Sequence, residues 1–348
     1  MKTVKINTSK SYEVLIGQGI LEKAGELVKE KVGFSRICII TDDTVDSLYG
    51  EKTVDSFEKA GFAVKKIVIP HGEQSKSCEN LFNIVNTLAK MRFTRSDMLV
   101  ALGGGVVGDL TGFCAATYMR GIRFIQIPTT LLAAVDSSVG GKTAVDLPHG
   151  KNLFGAFWQP SLVICDTDTL DTLSEEIYAD GTAEIIKYGM ICDKDLFDKV
   201  KSGKWDRVEV ISRCVEIKRD VVNEDEFEKG LRQILNYGHT FGHGVEALSD
   251  FTLTHGSCVA IGMCMVTRAF VKKGEIDDLV YKELEESLKA NKLPVSCEFD
   301  AESIFDIVTA DKKRNGNSIN LIVVKEIGKN EIQKVELDKI KELISLGL

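Results

Sequence analysis

Two histidines stand four residues apart in the stretch LNYGHTFGHGVE, His239 and His243, and His255 follows in LTHGSCVAIGM. They are three of only five histidines in the chain. On a helix this spacing stacks two imidazoles on one face, an arrangement suited to a metal ion. A zincin would carry a glutamate base directly after the first histidine, but Thr240 occupies that position. Any further ligands must therefore come from elsewhere, and which histidines bind stays open at this point. Arg232, Asn236, His239 and His243 fall at i, i+4, i+7 and i+11, which predicts four polar groups along one side of one helix. The segment AEIIKYG sets Glu184 and Lys187 one turn apart, either as a surface ion pair or as a carboxylate ligand beside a substrate cation. In RVEVISRCVEIKRDVV, the apolar stripe Val208, Ile211, Val215 and Val222 is interrupted by Lys218. An unpaired lysine on a core stripe is costly. It either snorkels to water or reaches an anion across a polar cleft; in the latter case Lys218→Met is expected to keep or raise stability.

A second kind of chemistry is written in glycines. MLVALGGGVVGD reads as a strand running into Gly103-x-Gly105-x-x-Gly108. Such a turn lets the backbone approach a pyrophosphate at a helix N-terminus. A plain tight turn explains it as well, because the acidic residue expected about twenty positions on is missing. Asp42, ending an earlier apolar run, could instead hold a ribose. SSVGGKTAVD is not a Walker A loop, since Asp136 stands where its first glycine must be. Gly140-Gly141-Lys142 reads as a flexible loop presenting a cation, with Lys151-Asn152 presenting another; two solvated lysines are the plainer alternative.

The elements that must position these groups change in texture along the chain. RICIITDD, AVKKIVIP, DMLVALGGG, IRFIQIPTT and LVICDTDTL are short apolar runs separated in the middle by amphipathic stretches such as SCENLFNIVNTLAKMRF. This alternation predicts an α/β domain with a doubly wound parallel sheet, whose ligands bind beyond the carboxyl ends of the strands. After about Asp171 helical periodicity dominates, and only SINLIVVKEIG reads as strand. The expected division is 1–171 and 172–348, the second domain mainly α-helical, with no Pro/Gly-rich linker and a cleft between closely packed domains. The 348 residues are 44% hydrophobic and 28% charged, which suits a globular enzyme, and the formal charge of −8 argues against a nucleic-acid partner. Nine scattered cysteines without a Cys-x-x-Cys pair, no apolar signal region and no membrane-length apolar run read as a cytoplasmic protein.

Taken together, GEQSKS, GGGVVGDLTGFCAATYMRGI, IPTTLLAAVDSSVGGKTAVD, GKNLFGAFWQP, AEIIKYG, LNYGHTFGH, HGSCVAIGM and DKK resemble the 3-dehydroquinate synthase family of sugar phosphate cyclases, in order and nearly end to end. The resemblance implies an N-terminal NAD-binding domain and a helical C-terminal domain holding a divalent metal, zinc or cobalt. It places the metal ligands on Glu184, His239 and His255, and leaves His243 as a catalytic histidine. It puts NAD at Asp42, Glu73, Lys76, Gly105, Val106, Asp109, Thr129, Thr130, Lys142, Lys151, Thr169, Leu170, Asp171 and Thr172. The substrate site falls on Arg120, Asp136, Lys142, Lys151, Asn152, Lys187, Lys218, Arg232, Asn236 and His243, with Lys312 or Lys313 of DKK, the latter preferred. So many cations suit a sugar substrate bearing both phosphate and carboxylate. The implied reaction turns 3-deoxy-D-arabino-heptulosonate 7-phosphate into 3-dehydroquinate and phosphate, in a homodimer. A polyol or glycerol dehydrogenase, a cyclase making another ring, and a non-catalytic NAD or metal sensor are the rival readings. Two positions depart from the family pattern: Ile177 stands at a usual glutamate, and Ser257 follows Gly256 where glutamate is common.

Overall fold

A computed structural model describes residues 1–250, 252–310 and 317–348. The chain divides into two units, Met1–Leu173 with Arg207–Phe227, and Ser174–Asp206 with Glu228–Leu348. The first is built on a seven-stranded sheet in the order β1-β2-β9-β6-β5-β3-β4. Its strands are β1 (Lys2–Ile6), β2 (Tyr12–Gly17), β3 (Ile37–Asp42), β4 (Val64–Ile69), β5 (Met98–Gly103), β6 (Arg123–Pro128) and β9 (Leu162–Asp166). All neighbours pair in parallel except β1, which is antiparallel to β2. Side chains alternate between faces, and the inner strands are apolar on both. Ile37, Ile39, Met98, Val100 and Leu102 pack one face with Ala24, Val28 and Phe57. Cys38, Ile40, Leu99 and Ala101 pack the other with Ile84, Leu88, Leu110 and Phe113. Helices thus cover both faces, as the strand–helix alternation predicts.

The chain leaves β3 for β4 at the sheet edge and returns to β5 on the other side of β3. In open α/β sheets such a reversal, beyond the carboxyl ends of the strands, is where ligands bind. A separate hairpin, β7 (Lys142–Leu147) and β8 (Gly150–Phe157), replaces the flexible loop expected around Lys142, Lys151 and Asn152. Successive glycines at φ 98 and 69, Gly140 and Gly141, turn the chain into it, and a Cβ on Gly141 would lie 2.7 Å from Gln159. The Arg207–Glu224 helix lies within the first unit, although it follows the first helices of the second.

The second unit is mainly helical, with one antiparallel hairpin, β10 (Ser318–Glu326) and β11 (Lys329–Glu336). Its two central helices, Glu175–Cys192 and His255–Lys272, are apolar over most of their circumference and correspondingly buried. The departures from the family pattern both fall on the third residue of these helices. Ser174 and Thr254 cap them, accepting from Ile177 N and Ser257 N, where a glutamate would complete a capping box. Ile177 is 44% exposed; both changes touch helix starts and no proposed ligand. Among the described residues no helix is long and apolar enough to cross a membrane.

Candidate functional site

One helix does not carry Arg232, Asn236, His239 and His243. A 3-10 turn, Leu231–Asn236, is separated from the His239–Leu248 helix by Gly238 at φ 80. The glycine is needed twice over: the left-handed backbone suits it, and a Cβ would lie 2.5 Å from Met263 Cγ and 2.7 Å from Val259 O. The break places His239 at the start of its helix, where Nδ1–H donates to Tyr237 O at 3.2 Å. The other ring nitrogen is then left with its lone pair.

That Nε2 lies 3.7 Å from Glu184 Oε1, and His255 Nε2 lies 3.8 Å from the same oxygen. The rings of His239 and His255 are 5.3 Å apart, and His243 stands 5.4 Å and 6.0 Å from them. Glu184 is only 2% exposed. Its Oε1 receives no hydrogen bond, while Oε2 meets the Lys187 ammonium. An ionised carboxylate held in such a place calls for cations. Burial, with Lys187 nearby, pushes the His239 pKa well below its ordinary value, so the ring is neutral and able to ligate. Burial also opposes the charge on His255, but Glu246 and Glu184 outweigh it and raise its pKa. Neighbouring donors on a tetrahedral zinc with bonds of about 2.0–2.1 Å sit roughly 3.3–3.4 Å apart, so each histidine nitrogen is only a few tenths of an ångström too far from Glu184 Oε1. The donor types and the buried, undonated oxygen fit a divalent metal. A second compact group, His243, Glu246 and His255, shares His255 with the first.

Two residues that spacing alone passed over hold this geometry. Asp180, one turn before Glu184, accepts from Gly256 N, and a Cβ on Gly256 would lie 2.1 Å from Asp180 O. The helices bearing Glu184 and His255 therefore touch backbone to backbone beside the ligands. Glu246, one turn beyond His243, is buried with Oε2 3.6 Å from His255 Nδ1. Both are ordinary acidic residues whose helix spacing from known candidates was the only available signal. Lys187 is 1% exposed and Arg232 2%, so neither belongs to a solvated surface pair. Asn236 Nδ2 donates to Glu228 Oε1 at 2.7 Å. Lys312 and Lys313 lie outside the described residues.

In the first unit the nucleotide candidates gather where parallel strands end. Asp42 ends β3 and caps the next turn, accepting from Val45 N. Gly105 and Val106 open the Gly105–Thr117 helix, whose Gly104 start has no side-chain cap, leaving N–H groups for an anion. Thr129 and Thr130 follow β6, and the buried Thr129 hydroxyl has no partner. Thr169, Leu170, Asp171 and Thr172 form a 3-10 turn after β9. Tyr49, unnoticed in the sequence, donates to Thr169 O at 3.0 Å and meets Thr172 Oγ1 at 2.7 Å. These uncapped and unpartnered groups fit a dinucleotide.

Lys76 Nζ pairs with Asp109 Oδ2 at 2.6 Å and also donates to Asn152 Oδ1. Asn152 N donates to Asp146 Oδ1 at 2.7 Å, and Lys151 Nζ lies 3.5 Å from Glu73. Burial works against the Lys76 charge, but Asp109, Glu73 and Asp146 prevail and raise its pKa. The hairpin is thus tied by charge to the loop after β4. Lys142, the first residue of β7, is exposed. Lys218 neither snorkels nor stays unpaired: it is 5% exposed, 3.0 Å from Asp136 Oδ2 and 2.8 Å from Asp136 O. Arg120 stands apart from these groups. It lies on the turn entering β6, at the amino edge of the sheet, opposite the nucleotide loops.

Comparison with known proteins gives two adjacent family matches along the chain. Residues 66–180 match the family model of the 3-dehydroquinate synthase N-terminal domain, and residues 181–314 match that of the C-terminal domain. A curated 3-dehydroquinate synthase of Clostridium acetobutylicum is 44% identical over 345 residues, covering 97% of both chains. Among solved structures, 2-deoxy-scyllo-inosose synthase complexed with carbaglucose-6-phosphate, NAD+ and Co2+ superposes with a TM-score of 0.87 at 26% identity over the whole of both chains. The 2-epi-5-epi-valiolone synthase of Streptomyces hygroscopicus subsp. jinggangensis 5008, with NAD+ and Zn2+ bound, does so at 0.88 and 26% over 98% of each. Two adjoining domain models over residues 66–314, and a relative similar over nearly its full length, leave one conclusion: this chain belongs to the 3-dehydroquinate synthase family.

Proposed function

We propose that the protein converts 3-deoxy-D-arabino-heptulosonate 7-phosphate to 3-dehydroquinate and phosphate, as a carbon–oxygen lyase using NAD and a divalent metal, zinc or cobalt. Family membership supports the reaction, and the two cofactors follow the metal- and NAD-containing relatives. One observation carries the reading beyond a metal-dependent polyol dehydrogenase: Lys187 and Arg232 are almost fully buried in the unit that holds Glu184, His239 and His255. Buried cations in the unit that holds the proposed ligands suit a substrate bearing phosphate and carboxylate better than a neutral polyol.

When bound, NAD supplies reversible hydride transfer at C5 and the metal supplies Lewis-acid polarisation of the neighbouring hydroxyls. Glu184, His239 and His255 would hold the ion. The uncapped helix start at Gly105 and Val106 would take the pyrophosphate and Asp42 a ribose. Glu73, Lys76, Asp109, Thr129, Thr130 and the Thr169–Thr172 turn would line the rest. His243, exposed and beside the ligand set, would move protons as C6 loses its proton and phosphate leaves C7 by elimination. Lys142, Lys151, Lys187, Lys218 and Arg232, with Asn152 and Asn236, would offset the substrate's negative charge as ring opening and aldol closure follow. Asp136 serves by orienting Lys218. The thiol-rich composition supports a cytoplasmic setting, and the family supports a homodimer.

The decisive assay supplies sub-stoichiometric NAD and excess sugar phosphate. Phosphate release far beyond the NAD present, with no build-up of reduced nicotinamide absorbance, is expected. Stoichiometric NADH without phosphate would make the protein a dehydrogenase, and no turnover with bound NAD would make it a sensor.

A further inference from the structure

We propose that Glu246 is a positioning residue for the metal ligand His255, accepting its Nδ1–H so that Nε2 faces the ion. The inference rests on Glu184, His239 and His255 being the metal donors. The His255 ring lies between two carboxylates: Nε2 is 3.8 Å from Glu184 Oε1, and Nδ1 is 3.6 Å from Glu246 Oε2. Glu246 is 5% exposed, on the third turn of the helix that begins with His239. A buried carboxylate is expensive unless it faces donors, and the ring nitrogen opposite the ligand set is such a donor. A carboxylate on the outer nitrogen fixes a ligating histidine's tautomer and raises its basicity. The two histidines are then unequal. His239 leans on a neutral carbonyl, Tyr237 O, while His255 leans on a full negative charge and is the stronger donor.

The test is cobalt(II) binding to metal-free protein against a competing chelator, with visible spectra of the bound ion. Glu246→Gln, which is nearly isosteric and keeps an acceptor, is expected to weaken cobalt affinity about 10-fold, and Glu246→Leu up to about 100-fold, with the cobalt bands shifted in both. In a His255→Ala background neither change is expected to weaken binding further. If Glu246→Leu does not fold, the Glu246→Gln cycle decides alone. Wild-type affinity and spectrum for Glu246→Gln overturn the proposal. So does an equal loss with and without His255, which would make Glu246 merely structural. A second cobalt lost on replacing Glu246 would make it a ligand in the His243/Glu246/His255 group instead, and also overturn it. His255→Ala binding cobalt as tightly as wild type would show that the underlying ligand assignment itself is wrong.

Discussion

Gly256→Ala places a methyl group 2.1 Å from Asp180 O, where the helix bearing His255 crosses the helix bearing Glu184. Real Cβ atoms essentially never come within 3.0 Å, so the two backbones must part by about 1 Å. Neither can yield cheaply, because both helices are packed on most sides. Overpacking of this kind costs about 1–3 kcal/mol, a fall of roughly 2–10 °C in melting temperature for a unit of this size. The same displacement acts on the ligand set. His255 Nε2 is already 3.8 Å from Glu184 Oε1, and a further ångström takes it well past the roughly 3.3–3.4 Å spacing of a tetrahedral site. We expect metal affinity to fall at least 10-fold, about 1.4 kcal/mol, even at temperatures where the variant is fully folded. Chelator competition at 20 °C, with circular dichroism to confirm folding, measures both effects. A folded Gly256→Ala protein that binds zinc as tightly as wild type would refute the claim that this helix contact sets the ligand geometry.

Three other expectations follow from the same contacts. His255→Ala should lose metal on dialysis, whereas His243→Ala should retain it and lose on the order of 10²–10⁴ in turnover; equal metal loss would make His239 and His243 the ligand pair. Lys218→Met, neutral or stabilising on sequence grounds, is now expected to destabilise by about 1–3 kcal/mol, because it strips Asp136 of a buried partner; urea unfolding of the variant measures it, and unchanged stability would contradict the pairing. Tyr49→Phe removes the hydroxyl that braces Thr169 and Thr172 and should raise the NAD KM about fivefold with little change in kcat, since one neutral hydrogen bond contributes about 1 kcal/mol; a kcat loss without a KM change would count against that turn as a nucleotide contact.

What the sequence determined by itself is whatever depends on local rules. Strand–helix alternation declared the doubly wound sheet, because short, nearly continuous apolar runs buried on both faces and separated by helices have few other solutions. It also marked the strand ends: Asp42 closes β3, and Gly105, Thr129 and Thr169 follow β5, β6 and β9. Motif resemblance named Glu184, His239 and His255 together, and the fold brings their donor atoms within 4.8 Å of one another. Helical spacing alone failed at Gly238, since the left-handed residue there answers to Met263 and Val259, which are distant in sequence. It failed again at Lys218, whose partner Asp136 lies on another element. The Arg207–Glu224 helix reads as one more helix of the second half, yet its apolar stripe belongs to the first unit. Amphipathicity says that a face must be covered, not by what. The approach of Gly256 to Asp180 and the placing of Glu246 behind His255 are of the same kind. Each is a contact between segments far apart in the chain, and only the packed tertiary structure decides which segments meet.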